Sequence, residues 1–205
     1  MSVRKFSTAS IRTGTKSSKF WDQTTFTSHY QSIATVTVGS PQATISFTSI
    51  PATFKHLQIR CIARSTNTVT FSNFIEATFN SDTTSGNYHS VHRVVGRGDG
   101  LVIGSSNTGV GYSRIGFVAG GGMRANTFTP SIIDILDYTS TTKNKTTRTI
   151  TGSAGQSTST DVEVDFMSSL YFPSTIAAIN RIDLNVSGAN FAQYSQFALY
   201  GIKGA

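Results

Sequence analysis

The sequence predicts an all-β protein, a jelly-roll-like β-sandwich carrying an extended N-terminal arm, and three observations lead there. Charged residues make up 13% of the 205 positions, about half the roughly 25% of an average soluble protein, which leaves too little Glu, Lys and Arg for long exposed helices. Ser and Thr number 28 and 30; Thr, with the β-branched and aromatic residues, favours a pleated, half-buried surface, and 18 Gly supply turns. From Ser32 onward, short alternating runs are broken by turn residues about every ten positions, the spacing of a sandwich or barrel. The length suits one large domain, or one domain with an arm, and can bury a real core.

The arm is expected over residues 1–31 and the sandwich over 32–205. Arg4, Lys5, Arg12, Lys16 and Lys19 all precede the first acid, Asp22, so most of the net charge of +7 is gathered at the front. Met1–Gln23 is rich in Ser, Thr and Lys and fits neither helical nor strand periodicity. A disordered solubilising tail, a nucleic-acid arm and an extended segment docking on a neighbouring subunit compete for it. Five basic residues with one aromatic pair make a sparse phosphate footprint, so nucleic acid is not the expected partner. Docking is favoured, because the single tryptophan, Trp21, stands beside Phe20 where the arm meets the domain, and a free tail has little use for that anchor.

One cysteine, Cys61, excludes an intrachain disulfide framework and a Cys-rich zinc site. No apolar run of signal-peptide or membrane-span length occurs, so a soluble protein without a classical export signal or membrane contact is expected.

The strands are expected in this order. Ser32–Val38 and Ala43–Thr48 read as a hairpin around Gly39-Ser40-Pro41. Leu57, Ile59, Cys61 and Ala63 alternate with Gln58, Arg60, Ile62 and Arg64, which turns Cys61 to the core as a small hydrophobe rather than a reactive thiol. Val69–Phe71 and Ile75–Phe79 follow, then an irregular Gly/Ser/Asn/Asp-rich stretch through Gly100. Ser113–Ala119, Ser131–Tyr138, Thr146–Thr151, Asp161–Tyr171, Arg181–Ser187 and Gln196–Ile202 bring the count to about ten. Phe54, Leu57, Ile59 and Cys61 share their spacing with Ile179, Ile182, Leu184 and Val186, as equivalent strands of two Greek keys do, although chance similarity of amphipathic strands gives the same pattern.

No constellation points to catalysis: there is no nucleophile elbow and no pair of carboxylates in an aromatic setting. Asp161, Glu163 and Asp165 share one strand face at about 7 Å steps, too far apart for a loop-type cation site. A solvated or inter-subunit acidic face is the leading reading, and a receptor for a neighbour's basic arm or a metal site are the alternatives. His89 and His92 lack third and fourth ligands and read as surface or interface histidines. Gly96–Gly100 and Gly120–Gly122 precede no helical pattern, so they read as flexible turns rather than phosphate loops. Tyr88, Tyr112, Tyr138 and Tyr194 remain as candidate sugar platforms. No cofactor or metal is expected.

Ser131–Tyr138 is apolar on both faces, with Ile132 and Leu136 on one and Ile133 and Ile135 on the other. Such a strand is central to the sandwich or pressed against another subunit. Asp134 and Asp137 need partners, which Lys143, Lys145 and Arg148 can supply. Ile132, Asp134, Leu136, Tyr138 and Arg148 are therefore the candidate oligomer interface.

Phe79-Asn80-Ser81-Asp82 through Asn87-Tyr88, the hairpin Ile132–Arg148 and the ending Phe197–Gly204 resemble a family of virion structural proteins of tailed bacteriophages, especially phages of marine bacteria and cyanobacteria. The similarity covers Ser32 to Ala205, and Arg4–Thr25 is similar to arms on some members. Members are mostly labelled minor tail, tail-fibre-like or simply structural proteins. The resemblance implies a β-sandwich in a phage particle and carries over no catalytic residue. The expectation is a non-enzymatic virion component, assembled in the host cytoplasm and tail-associated (fibre, collar or baseplate). It self-associates as a homotrimer and docks on other phage structural proteins through its arm. Head decoration is the alternative, and a carbohydrate-binding module that reads a host-surface glycan is the rival of another class.

Overall fold

In the computed structural model, residues 29–95, 103–154 and 162–204 are described. Among the described residues, twelve strands follow one another: β1 (Tyr30–Thr37), β2 (Thr44–Phe47), β3 (His56–Ala63), β4 (Ser72–Phe79), β5 (Tyr88–Val95), β6 (Ile103–Val110), β7 (Ser113–Ala119), β8 (Thr129–Leu136), β9 (Lys145–Ala154), β10 (Val162–Tyr171), β11 (Ile182–Val186) and β12 (Gln196–Ile202). They form a wide sheet of eight strands, β1-β12-β3-β8-β9-β10-β5-β6, and a narrow sheet of four, β2-β11-β4-β7. All pairings between these strands are antiparallel.

Set aside β5, β6, β9 and β10, and the remainder reads β1-β12-β3-β8 over β2-β11-β4-β7. That alternation between two sheets is the winding of a jelly roll. Two inserted hairpins, β5–β6 between β4 and β7 and β9–β10 between β8 and β11, attach beyond β8 and double the width of one sheet.

The core lies between the sheets of the jelly roll. In β3, period-two alternation buries Leu57, Ile59, Cys61 and Ala63, as the sequence predicts. Burial pushes the Cys61 thiol up to about 12, so it packs as a small hydrophobe. The repeated spacing is realised as well: Ile179, Ile182, Leu184 and Val186 are buried opposite Phe54, Leu57, Ile59 and Cys61 in one cluster. Strand β11 is interior to the narrow sheet as β3 is to the wide one. Phe191 and Phe197 meet edge-on at 4.8 Å and cap that cluster.

Several expectations are corrected. Strands β1 and β2 are not a hairpin but belong to different sheets. Residues between them are tied to the segment before β12, with Val38 N–H donating to Ser195 O (2.8 Å) and Gln42 N–H to Phe191 O (3.0 Å), so the chain crosses the sandwich edge instead of turning back. Val69–Phe71 is not a strand. The Asn67 side-chain oxygen accepts from the amides of Val69 (2.9 Å) and Thr70 (3.0 Å) and curls it into a loop. The stretch expected to be irregular through Gly100 contains β5, and β6 follows at Ile103. Their Ser, His, Gly and Asn residues have weak strand propensity, and the pairing of β5 to β10 and of β6 to β5 overrides it. Gly120 to Gly122 form a turn, as expected, closed by Met123 N–H on Gly120 O (3.2 Å), and a Cβ on Gly120 or Gly121 would collide with the backbone of Thr70 or Thr68, so the glycines also permit close packing of two loops; residues 96–100 lie outside the described residues. Strand β1 starts at Tyr30, inside the segment expected to be arm, and the remainder of the arm, including Arg4, Lys5, Arg12, Lys16, Lys19, Phe20 and Trp21, lies outside the described residues.

The turn from β4 to β5 shows why its sequence is distinctive. Asn80 and Ser81 take positive φ (53° and 60°), a conformation Asn tolerates well. The Asp82 carboxylate then accepts from Thr84 N–H (2.8 Å), Asn87 Nδ2 (2.8 Å) and Tyr171 Oη (3.0 Å). Tyr88 Oη donates to Asp82 O (2.8 Å) and accepts from Phe79 N–H (3.1 Å). Burial pushes the Asp82 carboxyl up, but these hydrogen bonds outweigh it and hold the group below its ordinary range.

Candidate interaction face

The outer face of the wide sheet can be built row by row from the strand register. Arg60, Ile132, Ile150, Phe166 and Arg93 are successive partners across β3, β8, β9, β10 and β5. An apolar triad thus lies between two arginines. On one side, Val164 is paired with Val95 and Gly152, and Ile62 with Pro130. On the other side run Tyr200, Gln58, Asp134, Arg148, Ser168 and Val91. Ile62, Ile132, Ile150, Val164 and Phe166 are 39–49% exposed. A contiguous apolar patch on an otherwise solvated sheet face marks a contact surface.

The polar row is already ordered. Gln58 Nε2 donates to Asp134 Oδ1 (2.8 Å), Arg148 Nε donates to Asp134 Oδ2 (3.0 Å), and Tyr30 Oη and Arg60 Nε donate to Gln58 Oε1 (2.7 and 2.9 Å). Tyr30 and Tyr200 stack at 4.7 Å with the Arg60 guanidinium 5.3 and 5.8 Å from their ring centres. Tyr, Phe and Arg in place of Lys and Glu is the composition of an interface centre, and ordering these side chains beforehand lowers the entropy lost on docking.

Of the five interface residues expected from sequence, Ile132, Asp134 and Arg148 lie together on this face, and Leu136 stands on it half-buried at its margin. Tyr138 does not. Its ring is fully buried and its hydroxyl donates to Pro51 O, because the chain turns inward after β8. Asp137 finds Lys55 (2.8 Å) and Lys143 (3.1 Å), which hold its carboxyl down at about 2. Lys145 is buried and donates to the carbonyls of Ser140 and Lys143 instead of to a carboxylate.

The acidic strand faces the other way from expectation. Asp165 is buried on the inner face of β10, while Val164 and Phe166 look outward. Asp161 lies outside the described residues, and nothing is described of the Glu163 side chain. The inner face of the inserted strands is built largely from hydroxyls. Thr147 and Ser169 share a hydrogen bond, as do Ser131 and Thr151 (2.8 Å), and Thr149 Oγ1 donates to Ile115 O (2.8 Å). Hydroxyls and Asp165 are thus buried there beside Met167 and Tyr171, while Ile150, Val164 and Phe166 face outward. Sequence reasoning missed Ile150, Val164, Phe166, Tyr30 and Tyr200. A lone isoleucine in the Thr-rich run Lys145–Gly152 was the one available signal.

His89 and His92 are three apart on β5 and so lie on opposite faces, His89 against Phe172 (4.9 Å) and His92 against Phe74 (5.2 Å) and Phe117 (5.5 Å). They cannot share a metal. Burial, and then the nearby Arg114, push the His92 pKa below its ordinary value. Tyr88 is in the core with Tyr138, whereas Tyr112 is half-buried and Tyr194 is 68% exposed.

No family model and no curated protein matches the chain. Among solved structures, the chain has 10% identity and a TM-score of 0.12 to a chain in "Structure of infectious bursal disease virus Gt strain", covering 83% of this chain and 41% of that one. A chain in the structure of the Gx strain gives 12% identity, a TM-score of 0.14 and coverages of 86% and 41%. This chain therefore spans about two-fifths of those viral chains, and TM-scores this low carry no argument about its fold or role.

Proposed function

We propose that the chain is a non-enzymatic structural component of a bacteriophage particle. It is tail-associated in preference to decorating the head, self-associates as a closed homotrimer, and is anchored by its N-terminal arm. The observation that carries self-association is the apolar row Ile132–Ile150–Phe166 on the outside of a sheet whose inserted strands keep hydroxyls inside. Apolar area removed from water is worth about 25 cal/mol per Å², and the sandwich core cannot cover this face, since the narrow sheet lies on the opposite side. The phage assignment is supported by the residue patterns at Phe79–Tyr88, Ile132–Arg148 and Phe197–Gly204.

Ile132→Lys tests the self-association. It should dissociate the oligomer while leaving a β-rich circular dichroism spectrum, because the side chain is 41% exposed. Wild-type protein that sediments as a monomer at high concentration would overturn the reading. Deleting Met1–Lys19 should leave a folded domain that no longer enters particles, and normal occupancy of the truncated chain would overturn the docking arm. Copy number places the protein: a small multiple of three or six fits the tail, and hundreds fit head decoration. Binding in a glycan screen of the isolated protein, with none of these particle phenotypes, would favour the carbohydrate-binding rival.

A further inference from the structure

Among the described residues, the wide sheet ends in two strands of equal length, β1 and β6, each of eight residues. Neither YQSIATVT nor IGSSNTGV contains a charged residue or a proline. Edges of monomeric sheets are usually blunted by lysines, prolines, shortness or bulges, because an unpaired row of N–H and C=O groups templates pairing with another chain. The narrow sheet follows that rule: its edge β2 has four residues and is preceded by Pro41. The wide sheet has neither lysines, prolines nor short strands at its edges, only one bulge in each. The bulge in β1 sits between Ser32 and Ala34 and leaves Ala34–Thr37 in regular register. The irregularity in β6 falls at its far end, between Thr108 and Val110, and leaves Ile103–Thr108 regular.

We propose that copies of the chain join edge to edge, β1 of one copy pairing with β6 of the next, so that the wide sheet runs on from subunit to subunit. This rests on the self-association proposed above and adds a second contact, between strand edges, to the apolar face that carries it. A second copy is the occupant because the two edges match each other: equal lengths, small uncharged side chains, and no like charges to repel. On the outer face, Thr35 and Thr37 of β1 are exposed, as are Ser106 and Thr108 of β6. Pairing would therefore continue the outer face without a step and align the apolar rows of neighbouring copies. A contact between two different edges is head-to-tail, so a closed ring of copies leaves neither β1 nor β6 unpaired.

Cysteine crosslinking of the full chain tests this. Residues opposite each other on adjacent antiparallel strands have Cα atoms about 4.5–5.5 Å apart, within disulfide reach. Thr35→Cys or Thr37→Cys chains, mixed with Ser106→Cys or Thr108→Cys chains and oxidised gently, should give a mixed crosslinked dimer on a non-reducing gel. Neither variant alone should do so, and the buried Cys61 should contribute no background. Ser106→Cys that crosslinks to itself would overturn the proposal in favour of β6 pairing with β6. No mixed crosslink in a protein that still sediments as an oligomer would overturn edge pairing alone. A wild-type monomer would overturn the self-association beneath it as well.

Discussion

The two halves of the wide sheet differ in how much of the inner face is apolar and how much of the outer face is. In the jelly-roll half, β3 and β12 bury Leu57, Ile59, Phe197 and Leu199 and turn Gln58, Arg60 and Tyr200 outward, with Ile62 the one apolar residue of β3 beside them. In the inserted half, β9 and β10 bury Thr147, Thr149, Thr151, Asp165 and Ser169 along with Met167 and Tyr171, and turn Ile150, Val164 and Phe166 outward. A hydroxyl can be buried at little cost when each partner is supplied, and an exposed isoleucine or phenylalanine is favourable only once something covers it. The first half thus reads as a folding core and the second as an assembly surface, with β8 as the boundary between them.

The largest expected effect separates two neighbouring residues of β8. Ile133→Ala should cost about 2–5 kcal/mol, since it opens a cavity in the packed core. Ile132→Ala, on the outer face, should change monomer stability by no more than about 0.5 kcal/mol and weaken association instead. Urea denaturation and sedimentation of the same two variants check both statements, and equal losses of stability would break the contrast.

In the same jelly-roll core, Cys61→Ser should cost about 1–3 kcal/mol, because a hydroxyl replaces a thiol on an apolar strand face. A bulky thiol reagent should label Cys61 slowly in the native protein, and fast labelling would show that β3 faces the other way in solution. Within the inserted half, Thr147→Val should cost about 1–2 kcal/mol by stranding its partner Ser169. Combining it with Ser169→Ala should cost less than the two single changes together, as a double-mutant cycle would show.

The smallest effect is a difference in pH response. The His92 pKa is depressed by burial and then by Arg114, so the unfolded chain binds that proton more readily. Its contribution to stability is complete above the ordinary histidine value of about 6.5 and is lost as pH falls through and below it. Asp82 and Asp183 are also depressed: burial pushes both up, but their hydrogen bonds, for Asp183 from Arg181 and Ser46, prevail. Their contributions, with that of Asp137, hold above about pH 4 and are lost in stronger acid. Amides of β5 and β10 should therefore lose hydrogen-exchange protection between pH 7 and 5 before those of β3 and β12. His92→Phe should abolish that early step.

Much of the jelly-roll half was legible in the sequence. Strands β7 and β12 fall on the residues expected, Ser113–Ala119 and Gln196–Ile202, and the alternation of β3 assigned Cys61 to the core. These are places where apolar residues recur every second position, and that signal is local. Of the candidate site, Ile132, Asp134 and Arg148 were legible because a strand with two apolar faces and an acid followed by a basic turn is also a local pattern.

What the sequence determined by itself was the all-β class, the core-facing alternation and one corner of the contact face. Only the tertiary structure decided which sheet β1 and β2 enter, that Tyr138 turns inward, and that β10 points Asp165 in and Phe166 out. The physical reason is that a polar side chain is placed by its partners, and these lie far along the chain: Asp82 is held by Tyr171 and Gln58 by Asp134. Burying a leucine needs only an apolar neighbour, which any core supplies. Burying a threonine or an aspartate needs a particular donor or acceptor at hydrogen-bond distance, and only the assembled sheet brings that group into place.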